Sequence, residues 1–406
     1  MRRSFLEFFA GGGMARLGLG PGWDCAWAND MDPAKCAAYR ANFGGADLHE
    51  GDVAAVPPQD VPQADLAWAS FPCQDLSLAG ARRGMGVGAG SRSSVFWAFW
   101  YLIERLAADG RAPRVLAIEN VVGLATANGA EDFATLCAAL ATAGYRWDAH
   151  VVDAAGFLPQ SRPRLFILAW QGEPPAALSE APALTRGRAL DAAFAAAAAM
   201  GGVEAAARRP LRLPPPPGRN LQLADIVSDE GAPKTRDPAS AARVLSLMAP
   251  RHAARLEAAR AEARASGRRV VGTLYRRMRP APDGVGTVQR AEVRFDLAGC
   301  LRTPAGGSSR QTLVICDPSG DVRLRLISAR EAARLMGLPD GYRLPKGYTD
   351  AYKLAGDGVA VPVARWIAAR LIEPLLDHMD GADALPDARA DESDARGAVA
   401  LGAAPV

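Results

Sequence analysis

Ser4-Phe5-Leu6-Glu7-Phe8-Phe9-Ala10-Gly11-Gly12-Gly13-Met14-Ala15-Arg16-Leu17-Gly18-Leu19 places a strand, a glycine turn and a helix within sixteen residues. The apolar run 4–9 reads as the strand and 13–19 as the helix. Glycines between them let backbone N–H groups and a helix N-terminus come close to a nucleotide-like ligand, although such turns also serve tight packing. Outward from this unit, short apolar runs alternate with helical stretches. Strands are expected over 24–29, 64–69, 115–119, 145–153 and 164–170, and helices over 33–42, 95–108 and 130–143. Val115-Leu116-Ala117-Ile118 is the continuous apolar run of a strand buried on both faces. The fold class expected is α/β, a doubly wound, mostly parallel sheet.

The 406 residues, 49% of them apolar, suffice for a large domain and a smaller one. Net charge is only +3, but its distribution is uneven. Residues 201–310 hold 19 Arg and Lys234 against ten acids, an excess of +10 that leaves −7 for the rest. Only four residues are Lys, so nearly every cation is a guanidinium, suited to bidentate phosphate and base contacts. The six cysteines form no C-x-x-C pair, so neither a zinc site nor a disulfide framework is indicated, and no metal is expected. With no apolar run of 18 residues, a soluble cytoplasmic protein without a membrane partner is expected.

After Gln171 the text turns Ala-rich and Pro-rich, and Leu213-Pro214-Pro215-Pro216-Pro217-Gly218 can be neither central strand nor helix. Residues 239–266 read as an Arg-studded helix interrupted at Pro250, and 268–315 as strands and turns. Residues 328–338 form an amphipathic helix with Ser328 as N-cap and Glu331 as its capping-box partner. A final helix starts between 359 and 363 and ends near 378; the acidic tail from 380 has little to bury.

Ligands of open α/β sheets sit outside the carboxyl ends of the strands, so strand-end residues are the candidates for chemistry. Asn29-Asp30 ends the second strand, where an acid accepts hydrogen bonds from ribose hydroxyls, and Asp52 offers an acceptor to an adenine amino group. Ser70-Phe71-Pro72-Cys73-Gln74 puts a thiol at a strand end, ahead of the polar, Gly-rich stretch 74–92 that reads as a lid. Ile118-Glu119-Asn120-Val121 adds a carboxyl group. In Gln160-Ser161-Arg162-Pro163-Arg164 the two arginines alternate onto one strand face and can converge on the site. Singly, each has a structural reading: a lone Cys is ordinarily a small core hydrophobe, and the acids and arginines serve as caps or ion pairs. Together they bring a thiol, a carboxylic acid, two guanidiniums and a nucleotide cradle to one crevice.

The order FAGGG, ND, GD, FPCQ, ENV, QSRPR resembles the cytosine-C5 DNA methyltransferase family of restriction-modification type. The likeness spans residues 3–170 and 300–378, where it continues through Ser328-Ala329-Arg330-Glu331 and Gly356-Asp357-Gly358-Val359. It implies the S-adenosylmethionine-dependent methyltransferase fold, with 1–171 as the first part of the catalytic domain and 172–325 as a smaller, irregular, basic target-recognition domain. Residues 326–379 then return to the catalytic domain, and 380–406 form a disordered tail. It further implies methyl transfer from S-adenosyl-L-methionine to carbon 5 of a cytosine flipped out of duplex DNA. Cys73 would be the nucleophile on carbon 6 and Glu119 the group at ring N3 and the exocyclic amine, while Arg164 would hold the base carbonyl and Arg162 organise the site. Phe9, Ala10, Gly11 and Gly13 would surround the cofactor's methionine and ribose, with Asp30 on the ribose and Asp52 and Val53 at adenine. Pro72 and Val95 would line the pocket, and Asp357 and Gly358 complete it. DNA contacts would come from Gln74, Ser77, Arg82 and Arg83 in the lid and from Arg302, Thr303, Gly306, Gly307 and Arg310. The partners implied are double-stranded DNA and a cognate restriction endonuclease, with the enzyme a cytoplasmic, nucleoid-associated monomer.

Two departures stand out: Met14 occupies a position where the family usually has Gly, and Asp357 one where Asn is frequent. The alternatives are a tRNA cytosine-C5 methyltransferase and a catalytically silent DNA-binding protein of the same fold. A nicotinamide oxidoreductase fits worse, since Gly11-Gly12-Gly13 lacks the G-x-G-x-x-G order.

Overall fold

A computed structural model describes residues 2–72, 94–179, 188–199, 202–281, 285–302 and 310–381. The chain forms two compact units. The first comprises Met1–Asp153, Pro163–Pro217 and the chain from Gly358 onward, and the second comprises Ala154–Arg162 and Gly218–Asp357.

The first unit is built on strands β1 (Arg3–Phe8), β2 (Trp23–Asp30), β3 (Leu48–Glu50), β4 (Leu66–Ala69), β5 (Val115–Val121), β6 (Arg146–Asp153) and β7 (Pro163–Trp170). Its helices begin with α1 (Met14–Leu19), α2 (Pro33–Phe43), α3 (Ser94–Ala108) and α4 (Glu131–Thr142). Each strand and helix expected between residues 4 and 170 is present, with ends shifted by one or two residues. Local chemistry explains the starts: Asp32 caps α2 by accepting from the Ala34 amide at 3.0 Å, and Pro33 fills the first helical position, where no amide is needed.

The seven strands lie in the order β3-β2-β1-β4-β5-β7-β6. All neighbours are parallel except at β7, which runs antiparallel to both β5 and β6. From β1 the connections proceed outward through β2 and β3, and then resume on its other side with β4. The topological switch point therefore lies between the carboxyl ends of β1 and β4. A continuous core of Phe8, Phe96, Phe99, Leu116, Phe133, Trp147 and Ile167 holds the sheet against its helices.

Residues 172–217 pack with this first unit, although the change of texture after Gln171 suggested that a second domain starts there. Helix α5 (Arg188–Ala199) buries Leu190 and Ala193 in the same core. Residues 208–211 line the sheet edge: the Arg209 amide donates to Trp147 O at 3.0 Å, and buried Asp148 accepts from Arg208 Nε at 3.0 Å and the Leu211 amide at 2.8 Å.

The second unit contains α6 (Pro238–Leu245) and α7 (Pro250–Ser266), broken before Pro250 as the sequence requires. Strands β8 (Val270–Pro280), β9 (Thr287–Arg294), β10 (Thr312–Cys316) and β11 (Val322–Leu326) form a four-stranded antiparallel sheet in the order β11-β10-β8-β9. Residues 326–357 also belong to this unit rather than to the first. Helix α8 (Ala329–Arg334) carries the expected capping box of Ser328 and Glu331, and Glu331 reaches further, to the Ser228 amide at 3.0 Å and to the buried Arg325 guanidinium at 2.6 Å. Those long-range bonds, invisible in local text, tie this stretch to the second unit. It ends with α9 (Tyr348–Asp357), after which α10 (Val361–Ile367), a π-helical turn and α11 (Glu373–Met379) rejoin the first unit. Among the described residues, no helix is long and apolar enough to cross a membrane.

Candidate active site

At the end of β1 the chain leaves the sheet through Phe9, an aromatic residue with φ of 58°, followed by Gly11 at 57° and Gly13 at 72°. A bulky side chain in the left-handed region is strained, and such strain is found where a backbone must be aimed. The turn is over-determined by its neighbours. The Ala10 amide donates to Asn29 O at 2.8 Å, the Gly11 amide to Asp30 Oδ2 at 2.7 Å, and the Gly13 amide to Ala10 O at 2.8 Å. A Cβ on Gly13 would lie 2.4 Å from the Phe43 ring, so only glycine fits there.

Asp30, at the end of β2, is buried and also accepts from the Asp32 amide at 2.8 Å. Its two oxygens each hold one amide and retain lone pairs. Met31 beside it is 67% exposed, an apolar side chain that the sequence reading overlooked; its only signal there is its position after a strand-end acid. Asp52 caps the turn after β3 through the Ala54 amide at 2.9 Å, and Val53 is buried in the core. Met14 resolves one departure from the family pattern. It is buried, and a Cβ on Gly358 would lie 2.2 Å from its sulfur, so the missing side chain at Gly358 accommodates Met14.

Across the switch point, β4 leads through Ser70 and buried Phe71 to exposed Pro72. Asn120 Nδ2 donates to Phe71 O at 3.1 Å, tying this exit to the end of β5. The Phe71 ring packs edge-on to Phe9 at 6.4 Å, and half-buried Val95 packs against the same core. Cys73, Gln74, Ser77, Arg82 and Arg83 lie outside the described residues, as do Thr303, Gly306 and Gly307.

Glu119, buried on β5, pairs with Arg164 Nε at 3.1 Å. The antiparallel register that sets Val121 opposite Arg164 brings this about, because diagonal neighbours on one face lie within reach of long side chains. Arg162 behaves differently. It precedes β7 and belongs to the second unit; at 2% exposure it donates to Leu301 O at 3.0 Å and Gly356 O at 2.9 Å. The two arginines, expected to converge, thus hold different partners: Arg164 the Glu119 carboxylate and Arg162 two backbone carbonyls, with the strand itself beginning at Pro163. Arg162 is held within its own unit, as is buried Gln160, which donates to Leu335 O at 2.6 Å. Asp357 is exposed at the end of α9. Arg302 is exposed, whereas Arg310 bonds Thr349 at 3.0 Å and stacks on the Tyr348 ring.

Near the glycine turn in sequence, Glu7 is buried with one oxygen on the Arg16 amide at 3.3 Å and, among the described residues, no hydrogen-bond partner for the other. Burial pushes its carboxyl up to about 8, against the lesser pull of the Arg16 amide and charge. From its ordinary value of 4.5 to about 8 the folded chain keeps a proton that the unfolded chain has released, so stability falls as pH rises through that window. Glu7→Gln is expected to flatten this slope and to melt several degrees above the parent at pH 8, with the two converging near pH 4. Parallel melting curves across the range would refute the buried proton.

The family model described as C-5 cytosine-specific DNA methylase matches residues 3–373. Type II methyltransferase M.NlaX of Neisseria lactamica is 26% identical over 370 residues, covering 90% of this chain and 95% of the relative. Type II methyltransferase M2.BsuMI of Bacillus subtilis is 36% identical over 172 residues, 42% of each chain. Among solved structures, S. pombe Dnmt2 methyltransferase superposes with a TM-score of 0.56 at 19% identity, covering 92% of this chain and 99% of that one. A prophage-encoded DNA modification methyltransferase from E. coli gives 0.51 at 17%, covering 92% and 99%. These two show a shared fold.

Proposed function

We infer the function from the premise that the chain belongs to the C-5 cytosine-specific DNA methylase family: it methylates carbon 5 of cytosine in a specific duplex DNA sequence, with S-adenosylmethionine as donor. The observation that carries this reading is the buried Glu119–Arg164 pair, on the strand whose Asn120 holds the exit toward Cys73. Buried ion pairs contribute little net stability, which favours a chemical use for this one.

The residues of the β1 turn fit the cofactor. The strained Phe9, the glycines at 11 and 13 and the N-terminus of α1 present amides to its amino-acid end, Asp30 has lone pairs left for ribose hydroxyls, and exposed Met31 offers an apolar face to adenine. When bound, S-adenosylmethionine supplies an electrophilic methyl group. Carbon 5 of cytosine is a poor nucleophile, so the chain must activate it. The Cys73 thiolate adds to carbon 6, while Glu119 holds a proton at ring N3 and accepts from the exocyclic amine. Arg164 fixes the Glu119 carboxyl and reaches the ring carbonyl. Once carbon 5 bears the methyl group, loss of its proton to water lets the sulfur–carbon 6 bond break and restores the thiolate. A stacked base cannot meet a thiolate in this way, so the cytosine is flipped out of the duplex. The named relatives are Type II methyltransferases, and a paired restriction endonuclease completes the proposal.

Bisulfite sequencing of plasmid from a host expressing the protein is expected to show one short motif methylated at carbon 5. Unmodified plasmid, together with methyl incorporation into tRNA, would replace this substrate with RNA.

A further inference from the structure

Helix α1 follows the strained turn at Phe9–Gly13 directly, and the two are held by different means. The turn is tied to β2 by hydrogen bonds, from the Ala10 amide to Asn29 O and from the Gly11 amide to Asp30. Helix α1 meets the chain that re-enters the first unit at Gly358 by shape. Met14 and Gly18, one helical turn apart, share a face of α1. Met14 is 2% exposed, and a Cβ on Gly358 would lie 2.2 Å from its sulfur, 3.1 Å from its Cε and 3.3 Å from its Cγ. At Gly18 the roles reverse. A Cβ there would lie 2.6 Å from the Ala364 methyl carbon and 2.8 Å from Val361 O, both on α10. A large side chain on α1 thus fills the gap at Gly358, and a gap on α1 admits the small side chain of Ala364.

Two features give the Met14 contact a consequence beyond packing. Gly358 keeps its φ outside the left-handed region, so its backbone conformation does not call for glycine, whose extra freedom costs entropy on folding. What calls for glycine there is the room that Met14 occupies. Second, Met14 is the residue after Gly13, and Gly13 has no slack: a Cβ on it would lie 2.4 Å from the Phe43 ring and 3.0 Å from the Tyr39 ring. A shift of Met14 is therefore passed up the turn, toward Gly11 and Phe9, rather than absorbed at Gly13.

We propose that Met14 is a positioning residue for the cofactor: seated in the gap at Gly358, its thioether clamps the glycine turn to the returning chain and so sets the affinity for S-adenosylmethionine. A flexible, unbranched side chain suits such an irregular gap. Shortening it leaves a cavity beside the turn, and a methyl group added at Gly358 pushes on the turn through the sulfur. The clamp rests on the S-adenosylmethionine-dependent reading above and gives a role to a residue that stood there as a departure from the family pattern.

The test uses the full chain and reads binding of S-adenosylhomocysteine by titration calorimetry without DNA, together with KM and kcat for methyl transfer to duplex DNA and the melting temperature of each variant. Gly358→Ala is expected to weaken binding and raise the KM for S-adenosylmethionine roughly tenfold, with kcat within about threefold of the parent. Met14→Ala should weaken binding roughly threefold to tenfold. Combining the two should restore much of what Gly358→Ala alone loses, because the added methyl group then occupies the vacated space; contacting residues are non-additive in this way. Additive losses would overturn the clamp, since a methyl group at position 358 that obstructed the cofactor itself would not be relieved by shortening Met14. Lowered melting temperatures with affinity and KM unchanged would also overturn it, as packing that the cofactor does not sense. Should Gly358→Ala fail to fold, Met14→Ala decides, and parental affinity in that variant overturns the clamp. A parent that neither binds S-adenosylhomocysteine nor methylates DNA brings down the functional reading and the clamp with it; a parent that does both, with variants that lose affinity additively, brings down the clamp alone.

Discussion

Cys73→Ala is expected to abolish methyl transfer, by a factor on the order of 10⁴ or more, because in the proposed mechanism its thiolate is the group that adds to carbon 6. Glu119→Gln is expected to slow turnover by roughly 10²–10⁴, the usual contribution of a positioned proton-transfer group. The two losses differ in kind. Duplex carrying 5-fluorocytosine in the methylated motif is expected to trap the parent, since fluorine at carbon 5 cannot leave as a proton and the sulfur–carbon bond would persist. Cys73→Ala should form no such adduct, whereas Glu119→Gln should form it slowly. The measurement is denaturing electrophoresis of the complexes alongside initial rates of methyl incorporation. An adduct formed by Cys73→Ala would transfer the nucleophilic role to another residue and remove the basis of the mechanism.

Arg325→Ala should have the largest effect on stability. Both Arg325 and Glu331 are almost wholly buried, and they share two charge-assisted bonds, at 2.6 and 2.8 Å. Burial alone would raise the Glu331 carboxyl; Arg325 and the Ser328 and Ser228 amides outweigh it and hold the group below its ordinary range. Without the guanidinium, a carboxylate remains in an apolar interior, a change that typically costs 3–5 kcal/mol. Because the folded value is depressed, the pair's contribution exists above the unfolded value and fades as pH falls through the folded one, so parent and variant should converge in acid. Replacing both residues with apolar ones of similar volume should recover most of the loss, which separates stranded charge from lost packing. Thermal denaturation of the parent and the two variants across pH is the check; equal loss in the single and double variants would show that the bonds themselves, not the stranded carboxylate, carry the stability.

Much of the architecture was legible because its signals are local. An apolar run of five residues, a Pro at the first helical turn, or a Ser three residues before a Glu specifies its own neighbourhood, and these features stand where the text places them. The same holds for Glu119 and Arg164, whose strands bring them to adjacent strand ends whatever the details of packing.

Arg162 and Arg164 mark the limit of that reading. Two residues apart in a presumed strand, they look equivalent, yet one pairs with the Glu119 carboxylate and the other is bound to carbonyls of the second unit, and the strand starts between them. Arg310, a loop cation in sequence, is held on Tyr348. Residues 172–217 read in composition as the start of a second domain, but bury Leu190 in the first core. Alone, the sequence determined the α/β class, the helix starts and which residues stand at the ends of the described strands, since backbone preference and hydrophobic period act over a few residues. Only the tertiary structure decided which unit each segment joins, where β7 inserts in the sheet and which partners the described guanidiniums hold, since those outcomes depend on partners that the chain brings together from a hundred residues away.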